Sequence, residues 1–66
     1  MNELAQSVEN FIVQNGIKKV WLIEKLGISQ PYFYKLMHKK NFNVDDANRI
    51  LAPMGYKVSY TFEKVQ

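Results

Sequence analysis

Between Leu26 and Gln30 the chain has room for only Gly27, Ile28 and Ser29, and on both sides the apolar residues fall at helical spacing. Upstream, Leu22, Ile23 and Leu26 share one face of a helix running from about Lys18 to Leu26. Downstream, Phe33, Leu36 and Met37 are spaced for the core face of another helix ending near Lys40. Ser29 is a good N-cap for it, and Pro31 sits in the first turn, where a missing amide costs nothing. A connection this short around a glycine predicts two helices turned sharply on each other, a helix-turn-helix pair.

The rest of the chain is punctuated in the same way. Leu4, Val8, Phe11 and Ile12 make one helical face over Asn2 to Asn15, and Gly16 supplies the left-handed stop. A last helix is signalled by Asn43 as N-cap with Asp46 three residues later, a relative of the capping box. Asp45 and Asp46 suit the positive end of that helix. Val44, Ala47, Ile50 and Leu51 line its apolar side, and Pro53 and Gly55 end it. Then the period changes: Tyr56, Val58, Tyr60 and Phe62 alternate with Lys57, Ser59, Thr61 and Glu63, the pattern of a strand. One strand cannot satisfy its own backbone groups, so the expectation is that Tyr56, Val58, Tyr60 and Phe62 pair antiparallel with a second copy across a twofold axis. The plainer alternative is a frayed tail laying its aromatics on the helices. The predicted fold class is mainly α: four helices in residues 1–55, followed by one C-terminal dimerisation strand and tail in residues 56–66.

Size and composition narrow the possibilities. Sixty-six residues make one small domain, and 47% apolar residues suffice for a core. A domain this short buries only about 60% of the surface its unfolded chain exposes. It therefore needs a staple, a partner or good helix packing. There is no cysteine, which removes a disulfide, and His38 is the only histidine, which removes the usual Cys/His zinc site. The longest apolar run is Val20-Trp21-Leu22-Ile23, far short of the roughly 20 residues of a membrane span. Met1-Asn2-Glu3 does not open a secretion signal. The expectation is a soluble cytoplasmic protein that starts at its natural methionine, with no membrane partner, no cofactor and no small-molecule ligand.

The net charge of +3 is unevenly placed. Residues 1–17 carry Glu3 and Glu9 alone, and residues 41–66 balance. Residues 18–40 carry Lys18, Lys19, Lys25, Lys35, Lys39 and Lys40 against Glu24, a net +5. A basic middle third with acidic and neutral flanks points to a surface that meets a polyanion. Tyr32, Phe33 and Tyr34 cannot all face inward, because successive helical residues diverge by about 100°. Phe33 has the core spacing, which leaves two tyrosines outside, an arrangement that suits a contact surface.

The stretch Leu22-Ile23-Glu24-Lys25-Leu26-Gly27-Ile28-Ser29-Gln30-Pro31-Tyr32-Phe33-Tyr34-Lys35-Leu36 resembles the helix-turn-helix of Cro-like and phage-repressor-like (XRE-type) transcriptional regulators. The likeness lies in the leucine, two polar residues, leucine, glycine, isoleucine, serine and glutamine that lead through the turn. It extends through the last helix to Met54-Gly55-Tyr56, similar to the alanine-leucine-glycine close of those domains, and covers roughly residues 4–56. Three features depart from the family pattern. Ile23 stands where alanine is usual because the helices approach closely, Val20 and Trp21 stand where polar residues are usual, and the tail strand replaces a fifth helix.

The resemblance implies a DNA-binding protein whose third helix lies in the major groove while the second crosses the phosphate backbone. Carried onto this chain, the base-reading residues are Gln30, Pro31, Tyr32 and Lys35. Gln30 can pair two-pronged with adenine and Lys35 can donate to guanine, while Pro31 offers apolar surface to a thymine methyl. Tyr32 offers a ring and a hydroxyl. Lys18 and Lys19 at the head of the second helix, Ser29, Tyr34, and His38, Lys39 and Lys40 at the end of the third suit phosphate positioning. Taken alone, Gln30 and Pro31 are ordinary first-turn residues, and a lone surface histidine is usually only that.

The expected function is a sequence-specific regulator of transcription, a repressor that occupies an inverted-repeat operator in double-stranded DNA as a homodimer. An enzyme is not expected: Asp45 and Asp46 are better explained by capping than by paired catalysis, and there is no Gly-rich phosphate loop. The rival expectation is a protein-interaction module, antitoxin-like, that binds a different protein through the C-terminal strand and an outward-facing Trp21.

Overall fold

The computed structural model describes residues 1–58 and 62–65. Four helices come first: α1 (Glu3–Gln14), α2 (Lys19–Leu26), α3 (Gln30–Met37) and α4 (Val44–Leu51). A single 3-10 turn, Ala52–Met54, leads into two short strands, β1 (Tyr56–Val58) and β2 (Phe62–Lys64). No described helix is long and apolar enough to cross a membrane.

Three of the four helices begin at a side-chain cap; α2 starts after Lys18 without one. Asn2 caps α1 with its Oδ1, which accepts the Ala5 N–H at 2.8 Å, so the helix starts one residue later than the apolar pattern suggests. The same side chain also reaches across the fold, where its Nδ2 donates to the carbonyls of Phe42, at 2.9 Å, and Lys40, at 3.3 Å. It thereby ties the start of α1 to the loop before α4. Asn43 and Asp46 complete a reciprocal capping box, Asn43 Oδ1 accepting the Asp46 N–H at 3.0 Å and Asp46 Oδ2 accepting the Asn43 N–H at 3.2 Å. Asp therefore serves where Glu or Gln is usual. Gly27 ends α2 at φ 70°, a left-handed position that glycine occupies without strain, and its N–H bonds to the carbonyls of Ile23 and Glu24.

The core joins all four helices. Ala5, Val8 and Ile12 of α1, Leu22 of α2, Phe33, Leu36 and Met37 of α3, and Ala47, Ile50 and Leu51 of α4 are buried together with Phe42. Leu4, Phe11, Ile23 and Leu26 are only partly buried against this cluster. Val44 departs from expectation: it is 47% exposed, because it occupies the first position of α4, where the helix is still entering from the loop. Phe42 takes an inward place instead, although no helical or strand period marks it.

α3 is shorter than its apolar pattern suggests. It ends at Met37 with His38 as C-cap, and Lys39 and Lys40 lie beyond it rather than in its last turn. The chain must bend here so that Phe42 can reach the core, and the bend is closed by the Phe42 N–H bonding to the Lys39 carbonyl.

The tail also differs from a single uninterrupted strand. β1 pairs antiparallel with β2 in the same chain, with Tyr56 opposite Lys64, Lys57 opposite Glu63 and Val58 opposite Phe62. A neighbour within reach in the same chain satisfies the backbone groups that one strand cannot. The other edge of β1 faces α4: Asn48 Oδ1 accepts the Val58 N–H at 2.6 Å. The ring of Tyr56 packs on Phe11 of α1. Tyr56 and Val58, expected at a dimer interface, are thus engaged inside the chain. Of the other two interface positions, Phe62 is a β2 residue facing Val58 in the register, and Tyr60 lies outside the described residues.

Candidate functional site

The exposed side of α3 is built by three local decisions. Ser29 Oγ accepts the Tyr32 N–H at 3.2 Å, which fixes the start of the helix and occupies an amide that the turn would otherwise leave free. Burial of Phe33, Leu36 and Met37 then fixes the rotation of the helix about its axis. What remains outside is Gln30, Pro31, Tyr32, Tyr34 and Lys35, all exposed.

These residues divide into two ridges. Gln30, Tyr34 and His38, spaced four apart, line an open cleft of about 280 Å³ whose other walls include Glu9 of α1 and Lys19 and Ile23 of α2. Pro31, Tyr32 and Lys35 are exposed outside that cleft. Ile23 stands in the cleft wall, half-buried, which is how the chain accommodates a side chain larger than alanine at this place.

On the cleft ridge, the rings of Tyr34 and His38 stack with centroids 4.1 Å apart and planes 22° from parallel. The His38 ring nitrogen Nδ1 lies 2.9 Å from the Tyr34 carbonyl, which can only accept, so Nδ1 is the donor in this contact. Tyr34 is 64% exposed despite the stack. The pair forms a flat, partly polar plate at the C-terminal end of α3.

The lysines expected at the interface, Lys18, Lys19, Lys39 and Lys40 toward phosphate and Lys35 toward bases, fall into two groups. Lys19 is held by Glu9 Oε2 at 2.6 Å. Lys39 reaches both carboxylate oxygens of Asp46, at 3.1 and 3.3 Å. Burial opposes the charge on Asp46, but the Asn43 N–H, the Lys39 hydrogen bonds and the nearby charges of Lys39 and Arg49 outweigh it and hold the carboxyl below its ordinary range. Lys19 and Lys39 are therefore compensated. Lys18, Lys35 and Lys40 are exposed and form no ion pair among the described residues. Glu9 and the second use of Asp46 escape a reading of the sequence for the same reason: each partner lies on a different element from its lysine, and only the turn between elements brings them together.

Trp21 is 40% exposed on α2, with Lys25 Nζ 5.9 Å above its ring. It lines a shallow hollow with Gly16, Ile17 and Lys18, and Val20 beside it in sequence is 75% exposed. Charge and apolar surface thus alternate along the outer side of α2, next to the uncompensated Lys18. Comparison with known proteins finds no matching family, no matching curated sequence and no matching solved structure.

Proposed function

We propose that the chain is a sequence-specific regulator of transcription that binds double-stranded DNA, with α2–turn–α3 as a helix-turn-helix of the Cro-like and XRE type. α3 lies in the major groove with Gln30, Pro31, Tyr32 and Lys35 toward base edges, and α2 crosses the phosphate backbone. The observation that carries this reading is the outer side of α3. Its rotation is fixed by three buried residues, its first turn is capped at Ser29, and Gln30, Pro31 and Tyr32 of that turn are exposed. Lys18, Lys35 and Lys40 supply uncompensated positive charge to either side, and Tyr34 and His38 present a plate suited to sugar and phosphate.

The protein acts as a homodimer on an inverted repeat, with two copies of α3 about 34 Å apart so that both enter the same face of the duplex. Since Val58 donates its N–H to Asn48, β2 rather than β1 offers the edge for pairing with a second copy. Occupancy of the operator represses, because a domain of this size has little surface left for recruiting polymerase. The test is a fluorescence-anisotropy titration of a randomised duplex pool at two salt concentrations, with the bound fraction sequenced. Binding that weakens steeply with salt and enriches an inverted repeat supports the reading; no binding at low salt removes it.

A second reading has one observation in its favour. Val20 and Trp21 form an exposed apolar surface on α2, away from the buried face of that helix, as a site for another protein does. Under it the partner is a protein, and Gln30→Ala with Lys35→Ala leaves its binding intact. Under the DNA reading the same double substitution abolishes specific binding.

A further inference from the structure

The first turn of α3 presents two apolar rings to the outside, and neither can tell one polar partner from another. Pro31 has a saturated ring and no N–H. The N–H of Tyr32 is taken by Ser29 Oγ. Tyr32 as a whole is 44% exposed, and its hydroxyl both donates and accepts. Both rings lie outside the cleft that takes Gln30.

In the major groove thymine and cytosine differ in two respects: the C5-methyl group, and an oxygen acceptor against an amino donor at C4. A side chain with a fixed donor or acceptor reads the second difference. Pro31 has neither, and the Tyr32 hydroxyl suits both. What this pair can sense is the methyl. We propose that Pro31 and Tyr32 read the C5-methyl of a pyrimidine, so that the protein accepts 5-methylcytosine where it accepts thymine and disfavours cytosine and uracil there. The inference rests on the reading of the chain as a duplex-DNA-binding protein. Lys35, one helical turn from both rings, and the uncompensated Lys18 and Lys40 give the surrounding surface the charge that a duplex requires.

The test uses the whole chain and the duplex enriched from a randomised pool. Each pyrimidine of one half-site is replaced in turn: thymine by uracil, thymine·adenine by cytosine·guanine, and the latter by 5-methylcytosine·guanine. Burying one methyl changes affinity by about fourfold per half-site. The expected result is one position where uracil weakens binding about fourfold and where methylating cytosine recovers about the same factor. Pro31→Ser, which keeps the Ser29 cap, shrinks both effects at that position while leaving the salt dependence in place.

Equal binding of thymine and uracil duplexes at every position, or no response to cytosine methylation, overturns the methyl reading while specific binding to the unmodified duplex leaves the regulator intact. If no duplex binds, both fall together. Because the decisive comparison is made on the DNA, a poorly folded Pro31 variant does not blunt it.

Discussion

The ring of Tyr56 meets that of Phe11 edge to face, with centroids 4.8 Å apart and planes 69° to each other. This contact fastens β1 to the first helix, so the strand is part of the fold and not an appendage of it. β1, which Tyr56 opens, also runs against α4. A double-mutant cycle on Phe11→Leu and Tyr56→Leu, read by urea unfolding, is expected to give a coupling of about 0.5–1.5 kcal/mol. Strict additivity of the two substitutions shows the ring contact to contribute nothing.

Asn48 completes the other side of that attachment. Its Oδ1 takes the Val58 N–H, which has no strand partner on that side among the described residues. Asn48→Ala leaves a part-buried donor unsatisfied and is expected to destabilise the domain by about 1–3 kcal/mol. In a chain this size each kcal/mol lowers Tm by about 4–8 °C. Calorimetry of the two proteins decides it, and an unchanged Tm means water replaces the side chain freely.

Lys39 and Asp46 predict an acid-sensitive element of stability. The native carboxyl of Asp46 is held below its ordinary value of 3.8, so the unfolded chain binds its proton more readily than the folded one. The contribution is fully present well above 3.8, and it is lost as the pH falls through the depressed native value. Asp46→Asn is expected to flatten the fall in stability below about pH 4. It also lowers stability near neutrality by about 1 kcal/mol through the weakened capping box. Denaturant midpoints from strongly acidic to neutral pH measure both effects, and parallel curves for the two proteins exclude the ion pair as their cause.

The two groups of lysines separate by their salt dependence. Removing Lys18 or Lys40 by alanine substitution is expected to lower the slope of log affinity against log salt by about 0.9 for each phosphate that is no longer neutralised. Lys39→Ala is expected to lower thermal stability and leave the slope nearly unchanged, since its charge is already matched by Asp46. Lys19→Ala behaves in the same way on the α1 side, where it faces Glu9. Anisotropy titrations over a series of salt concentrations on these variants test this, and equal slope changes for all of them mean that the ion pairs open on binding.

Much of this protein is determined within short stretches of its sequence. Asn2, Ser29, Asn43 with Asp46, and Gly27 set the ends of the helices, because a cap bonds to an amide or carbonyl within about four residues. The three residues Gly27–Ser29 fix the tight connection of α2 to α3, and the helical period fixes which side of α3 is exposed. The tertiary structure decided what depends on partners distant in the chain. Phe42 enters the core and Val44 does not, because the path of the loop into α4, and not a period, chooses between them. The tail closes on itself, because β2 and Asn48 supply the bonds that a lone strand lacks. The basic middle third is divided into free and matched lysines, because packing brings Glu9 to Lys19 and the loop after α3 brings Lys39 to Asp46. A charge count along the chain registers none of this, since Coulomb attraction depends on distances that only the fold creates.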